Sequence, residues 1–268
     1  GTALSGLGRP DEALASFERA LALRPEQDEV AQLLVPLIDL LVRRGMADEA
    51  AAHLAGALEL STGDRTASFS PHEFLERIVS AVPDPHRVAV LEALDRLGRD
   101  GPDRLAVHVL EAEFLRRLGR LDEALLELDA ARAIQPAGWL VHALAAAIHV
   151  GRDAPPQALE SASRAIEIDD RFPTPFQFRA LARLALGDDG GAVDDLARAV
   201  ELAPGDPQTH VLRGAVLAKL GRGPEAIECF RGALELEPQA IGAIEGLLVR
   251  WAVDPSLRSS ILEALHGR

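Results

Sequence analysis

Columns of residues recur at a spacing of 34, and that spacing governs what this chain can fold into. Pro136, Pro204 and Pro238 lie on it, with Asp170 in the place of the missing proline. Ala124, Ala158, Ala192 and Ala226 keep the same spacing, as do Ala131, Ala165, Ala199 and Ala233. A single globular core has no reason to repeat such columns at one period, whereas stacked copies of one small unit do. Stacked copies share one continuous core, so the chain reads as one array rather than the two domains its length alone suggests.

The unit itself can be read over residues 207–238. Val211, Leu212, Ala215, Leu217, Ala218 and Leu220 follow helical spacing. Gly221 ends that helix, because glycine tolerates the left-handed conformation. Pro224 and Glu225 restart it, with proline in the first turn and a carboxylate near the positive helix end. Ala226, Ile227, Phe230, Ala233 and Leu234 supply the second apolar face, and Pro238 stops it. Each unit is therefore predicted to be a helix, a short turn and a second helix. Neither helix can bury its face alone, so neighbours must stack.

On these residues the chain resembles the tetratricopeptide repeat (TPR) family, whose period and helix-turn-helix unit are a worked example among the known sequence repeats. The family's small residue, turn glycine, alanine, large apolar residue, alanine and proline fall on Gly214, Gly221, Ala226, Phe230, Ala233 and Pro238. Ala180, Gly187, Ala192, Leu196, Ala199 and Pro204 match in the preceding unit, and Ala112, Gly119, Ala124, Leu128, Ala131 and Pro136 in residues 105–138. Residues 139–172 match less well, with Ala146, Asp153, Ala158, Ala162, Ala165 and Asp170. The resemblance implies an all-α fold: a right-handed superhelical α-solenoid of stacked helix-turn-helix units, closed by a C-terminal capping helix.

One solenoid over 1–268 is expected, with a truncated first unit at 1–25, degenerate units at 26–104, four regular units at 105–238 and a cap at 239–268. Gly1, Gly8, Ala13, Phe17, Ala20 and Pro25 match the family from its eighth position onward. The expectation is a fragment of a longer protein, or a trimmed start. Gly45, Ala50, Leu54 and Ala57 mark a second unit about three residues late, with Pro36 inside its first helix, where proline removes a backbone hydrogen bond. Residues 61–70 read as an unusually long loop ending in a capping box, Ser70-Pro71-His72-Glu73. A helix pair turning at Val82-Pro83-Asp84-Pro85 follows. At the far end Ile241, Ile244, Leu248 and Trp251 share one helix side, and Asp254 caps a last helix carrying Leu257, Ile261 and Leu265.

Composition narrows the function. The net charge of −14 argues against a nucleic-acid partner, which demands basic stripes. The single lysine, abundant arginine and absence of tyrosine and asparagine suit a GC-rich, bacterial-type genome. One cysteine, Cys229, precludes an internal disulfide and a multi-thiolate zinc site, and reads as core. No stretch is long and apolar enough to span a membrane. With no targeting segment at its start, the chain reads as cytoplasmic.

No catalytic motif is present, so an enzyme is not expected, nor a cofactor or metal. His108, His142 and His210 share one unit position, but that column is spaced by neighbouring helices, about 8–10 Å apart, too wide for shared coordination. Asp188, Asp189, Asp194 and Asp195 suit the dipole of a helix start rather than calcium. Arg179 and Arg213 share a first-helix position and are expected to pair within their own units, with Asp195 and Glu228.

The family resemblance implies a concave groove lined by first helices. In this sequence its residues are Val109, Glu113 and Arg116, with Ala106, then Leu140, Ala143, Ala147 and Val150. They continue with Thr174, Gln177, Leu181 and Leu184, then Gln208, Val211, Ala215 and Ala218. A largely apolar lining suits a helix or extended peptide. One family branch clamps chaperone carboxylates with lysines and asparagines, which this chain lacks at those positions, so such a ligand is not expected. The expected role is a non-catalytic scaffold holding a partner's peptide or helix. The alternative is a peptide-sensing region, or a substrate-presenting arm, of a protein with an upstream DNA-binding or enzymatic domain. Self-association through solenoid ends is also consistent with the pattern.

Overall fold

The computed structural model describes residues 9–23, 27–63, 71–99 and 105–266. Among them every regular element is helical. The contacts divide the chain into two bodies, residues up to Leu144 and residues from Ala145 on.

The first body contains α1 (Pro10–Ala22), α2 (Gln27–Arg43), α3 (Ala47–Gly63), α4 (Pro71–Ser80), α5 (Arg87–Arg99), α6 (Leu105–Arg117) and α7 (Leu121–Ile134). Helix α8 (Trp139–Gly151) carries the boundary. The second body holds α9 (Pro155–Ile168), α10 (Pro173–Ala185), α11 (Asp189–Leu202), α12 (Pro207–Lys219), α13 (Gly223–Leu236), α14 (Ile241–Arg250) and α15 (Pro255–His266). The tightest packing lies within the pairs α6–α7, α10–α11 and α12–α13, and the chain-order neighbours α9–α10 and α11–α12 pack as well. This is the all-α, stacked helix-pair architecture of an α-solenoid, with α15 packed on α13.

The small-residue columns are what allow the pairs to close. All eight alanines of the two columns are fully buried. Gly214 shows the constraint most sharply. A Cβ placed there would stand 2.6 Å from Cε1 of Phe230 on the facing helix. The corresponding pairs elsewhere are Ala112 with Leu128, Ala146 with Ala162 and Ala180 with Leu196. Glycine therefore sits opposite the one phenylalanine of this set.

Six of the described turns inside pairs use one geometry. At Gly119 and Arg120 the N–H groups donate to the carbonyls of Arg116 and Leu115, at 3.1 and 2.9 Å. This double bond is the Schellman end of a helix, and it needs a left-handed residue. Gly45, Gly187 and Gly221 supply that residue in three other turns, with the same bonds. Two turns do without glycine: Asp153 has φ +53° and Ala252 φ +51°.

The degenerate segment folds as helices too. Helix α2 runs through Pro36. Helix α3 continues to Gly63, so the loop expected at 61–70 begins later: 61–63 are helical, because no breaker stops α3 before Gly63. Residues 64–70, including the Ser70 of the expected capping box, lie outside the described residues, as does Gly1. The turn at 82–86 contains the short 3-10 helix Asp84–His86, as the prolines there imply. Asp254 caps α15, accepting from Ser256 N and Leu257 N at 3.0 Å each.

Gly214→Ala is expected to destabilise the protein by about 1–3 kcal/mol through overpacking, and Phe230→Leu in the same chain should recover most of that loss. Urea denaturation of the two single variants and the double variant measures the coupling. Ala252→Gly should raise stability by about 1 kcal/mol, since a left-handed non-glycine residue costs about 1–2 kcal/mol, read in the same denaturation series.

Candidate functional site

The first helices place the sequence-derived lining in two different environments. In the first body, Val109, Leu140 and Ala143 are buried, as is Ala106. Glu113 is completely enclosed and accepts hydrogen bonds from Nε and Nη2 of Arg116, both at 2.8 Å, and from Nε of Arg117 at 2.6 Å. Burial alone would push its carboxyl up, but the two guanidinium groups together outweigh burial and hold it below the usual carboxylate range. Arg117 also donates to Ser80 Oγ at 3.0 Å and to the Glu76 carbonyl at 3.2 Å. Glu113 and Arg116 thus belong to a polar tie between α4 and α6.

In the second body the first helices leave an accessible wall. Ala147, Thr174, Val211, Ala215 and Ala218 are buried in it, Val150, Gln177, Leu181 and Leu184 are half-buried, and Gln208 is exposed. Two depressions follow the wall. One, of about 460 Å³, is lined by Gln177, Gln208, Val211, Leu212, Ala243 and Leu247 among others. Gln177 is oriented there by Nε2 donation to Thr209 Oγ1 at 2.5 Å. The other, of about 210 Å³, is lined by Val150, Leu181, Leu184 and Ala185 together with Lys219 and Trp251.

Lys219, Trp251, Ala243 and Leu247 were not among the sequence-derived residues. For Trp251, Ala243 and Leu247 the signal was available: α14 occupies the first-helix slot of the next 34-residue period, so it continues the wall as well as covering the core. Trp251 does both. It packs against the cluster of Ala180, Ala192, Leu196 and Val216, and its remaining surface lines the smaller depression.

The histidine column is used locally. His142 Nε2 lies 3.3 Å from the Pro136 carbonyl and His210 Nε2 3.0 Å from the Pro204 carbonyl, so each ring meets the proline that closes the preceding unit. His108 differs: its Nδ1 meets Glu127 Oε2 at 2.8 Å.

The repeat also juxtaposes one position of each first helix with one of each second helix. In α10 and α11 the pair is Arg179 with Asp195, joined at 2.9 and 2.6 Å, and Arg183 adds a third bond at 2.9 Å. Arg179 also lies over the Phe176 ring, 5.4 Å from its centroid. The equivalent pair in α12 and α13 is Arg213 with Cys229. The expected Arg213–Glu228 pair does not form: Glu228 binds Arg231 at 3.0 Å one turn along its own helix, and the buried Nε of Arg213 lacks a hydrogen-bond partner among the described residues. In α6 and α7 the pair is Glu111 with Glu127. Burial, and then the Glu127 carboxylate, push the Glu111 carboxyl up to about 8.

Helix pairs of one repeat length, closed by alanine columns and presenting a wall of first helices, define a helical-repeat protein. A family model described as tetratricopeptide repeat matches residues 1–65 and 179–241. Over those two segments the chain is similar to tetratricopeptide-repeat proteins. The match at the N-terminal end extends beyond Pro25 into the segment whose columns are weakest. The small glutamine-rich tetratricopeptide repeat-containing protein 2 of Mycosarcoma maydis is 31% identical over 81 residues, 30% of this chain. That match spans 23% of the relative's length. A tetratricopeptide repeat protein from Parabacteroides merdae has a TM-score of 0.55 at 17% identity, covering 94% of this chain and 95% of that one. A thermophilic TPR protein of Thermus thermophilus has a TM-score of 0.55 at 21% identity, covering 68% and 97%. At these identities the structural likeness is one of fold. Repeat proteins of this family are generally non-catalytic protein-interaction scaffolds. Among the described residues no helix is long and apolar enough to cross a membrane.

Asp195→Ala should cost about 3 kcal/mol, because it leaves two partly buried guanidinium groups without their carboxylate. A thermal or urea melt checks this, and Arg179→Met combined with Asp195→Leu should recover part of the loss.

Proposed function

We propose that the wall of first helices in the second body holds an extended peptide or a helix of a partner protein, and that the chain acts as a non-catalytic scaffold. The observation that carries this reading is the smaller depression. Leu181, Leu184 and the free part of Trp251 offer an apolar seat, and Lys219 stands at its edge. An apolar side chain of the ligand would bury itself there, gaining about 25 cal/mol per Å² removed from water. A carboxylate next to that side chain would pair with the one lysine of an otherwise acidic chain. The neighbouring depression, with Gln177 and Gln208 beside Val211 and Leu247, gives the peptide backbone amide partners further along the same wall.

Two of the sequence-derived lining residues are poor probes, since Val109 and Val211 are buried and a charge there would strain the core. Leu181 and Leu184 are half-buried and serve better. Peptides selected from a displayed random library against the whole chain are expected to carry an apolar anchor next to an acidic group. Leu181→Glu with Leu184→Glu should weaken them by more than about tenfold, roughly 1.4 kcal/mol, and Lys219→Glu by less, while far-ultraviolet circular dichroism stays helical. Peptides that bind the folded Leu181→Glu, Leu184→Glu variant as well as they bind the original chain would remove this wall from consideration.

A further inference from the structure

We propose that His108, Glu111 and Glu127 form a binding site for a divalent transition-metal ion of the zinc class. The three side chains come from the two helices of one pair. His108 and Glu111 stand one turn apart on α6, and Glu127 faces them from α7. One ligand atom from each lies within 4.8 Å of the others. His108 Nδ1 is 2.8 Å from Glu127 Oε2 and 3.7 Å from Glu111 Oε2. A tetrahedral ion with bonds of about 2.0–2.1 Å holds its ligand atoms roughly 3.3 Å apart, which these separations bracket. One imidazole with two carboxylates is also a ligand set that zinc accepts with its fourth position left to water.

The repeat supplies an independent observation. The positions of Glu111 and Glu127 are those of Arg179 and Asp195 in the pair of α10 and α11, where the same juxtaposition makes an ion pair. Here the fold brings two carboxylates together instead. Glu111 is 94% enclosed, and among the described residues neither carboxylate meets an arginine or lysine. Two facing carboxylates in that position are relieved either by a shared proton or by a cation that displaces it, and the imidazole beside them offers a nitrogen lone pair as a third ligand. A dication neutralises both carboxylates at once.

Isothermal titration of the chelator-stripped full chain with Zn²⁺ tests the site, with Co²⁺ absorption as the reporter of coordination. One saturable site with a Kd below about 100 μM is expected, together with the visible bands of four-coordinate Co²⁺. Glu111→Arg is the informative variant. It recreates the arginine–carboxylate pair found at the equivalent position, so it should melt no lower than the original chain while weakening Zn²⁺ binding by at least about tenfold. His108→Ala and Glu111→Gln should weaken binding likewise and guard against a Glu111→Arg chain that fails to fold. Absence of saturable binding, or binding that these folded variants leave unchanged, would assign any bound zinc to other surface histidines and acids and overturn the proposal.

Discussion

Close approach of the two helices in each pair is the constraint from which the rest of the structure follows. Alanines at two fixed positions of the regular second helices are entirely buried, and at Gly214 the first helix carries no side chain against Phe230. Interiors pack at nearly crystalline density, so a helix pair brought this close leaves no room for an added methyl group. The separation of the helices is thereby set by side chains that barely exist. Everything larger, whether apolar or charged, must then be accommodated at the positions flanking that contact. Most of the turns follow from the same requirement, since a left-handed residue reverses the chain tightly enough to keep the two helices in contact.

One flanking pair shows how much chemical variety a fixed geometry admits. The same two positions hold arginine and aspartate, arginine and cysteine, and two glutamates in successive regular units, with alanine and serine in the unit between. The backbone is common to all of them, so the differences are electrostatic. Asp195 takes three charge-assisted hydrogen bonds. Arg213 lies beside Cys229 with a buried nitrogen that bonds nothing among the described residues. Glu111 holds its proton far above the normal range, because burial and a neighbouring carboxylate both oppose its charge. Repetition fixes where side chains meet and leaves open what they do there.

The legibility of the sequence followed the same division. Short-range rules were readable. The period, the turn glycines, the proline stops and the Asp254 cap each depend on a local backbone preference, and the helices fall where those preferences put them. The Arg179–Asp195 pair was readable for a related reason, since two positions within one helix pair must meet. Long-range consequences were harder. Glu113 lies on the face the repeat assigns to a groove, yet α4 packs beside α6 and turns that face inward, and nothing local to Glu113 announces it. Trp251 and Leu247 escaped because α14 was read only as a cover for the core, although its register continues the wall. The cluster of His108, Glu111 and Glu127 went unnoticed because histidines were compared between units, while these three side chains meet within one.

Gly214 and Phe230 exchange bulk across a helix pair, one giving up its side chain where the other has its largest. A helix of this protein is therefore not a free module. Moving Pro207–Lys219 opposite a leucine-bearing second helix would leave a void, and moving Gly223–Leu236 opposite an alanine-bearing first helix would force a collision. The heritable building block is the hairpin with both of its faces, so recombination within this array should succeed at the joints between hairpins and fail at the bends inside them.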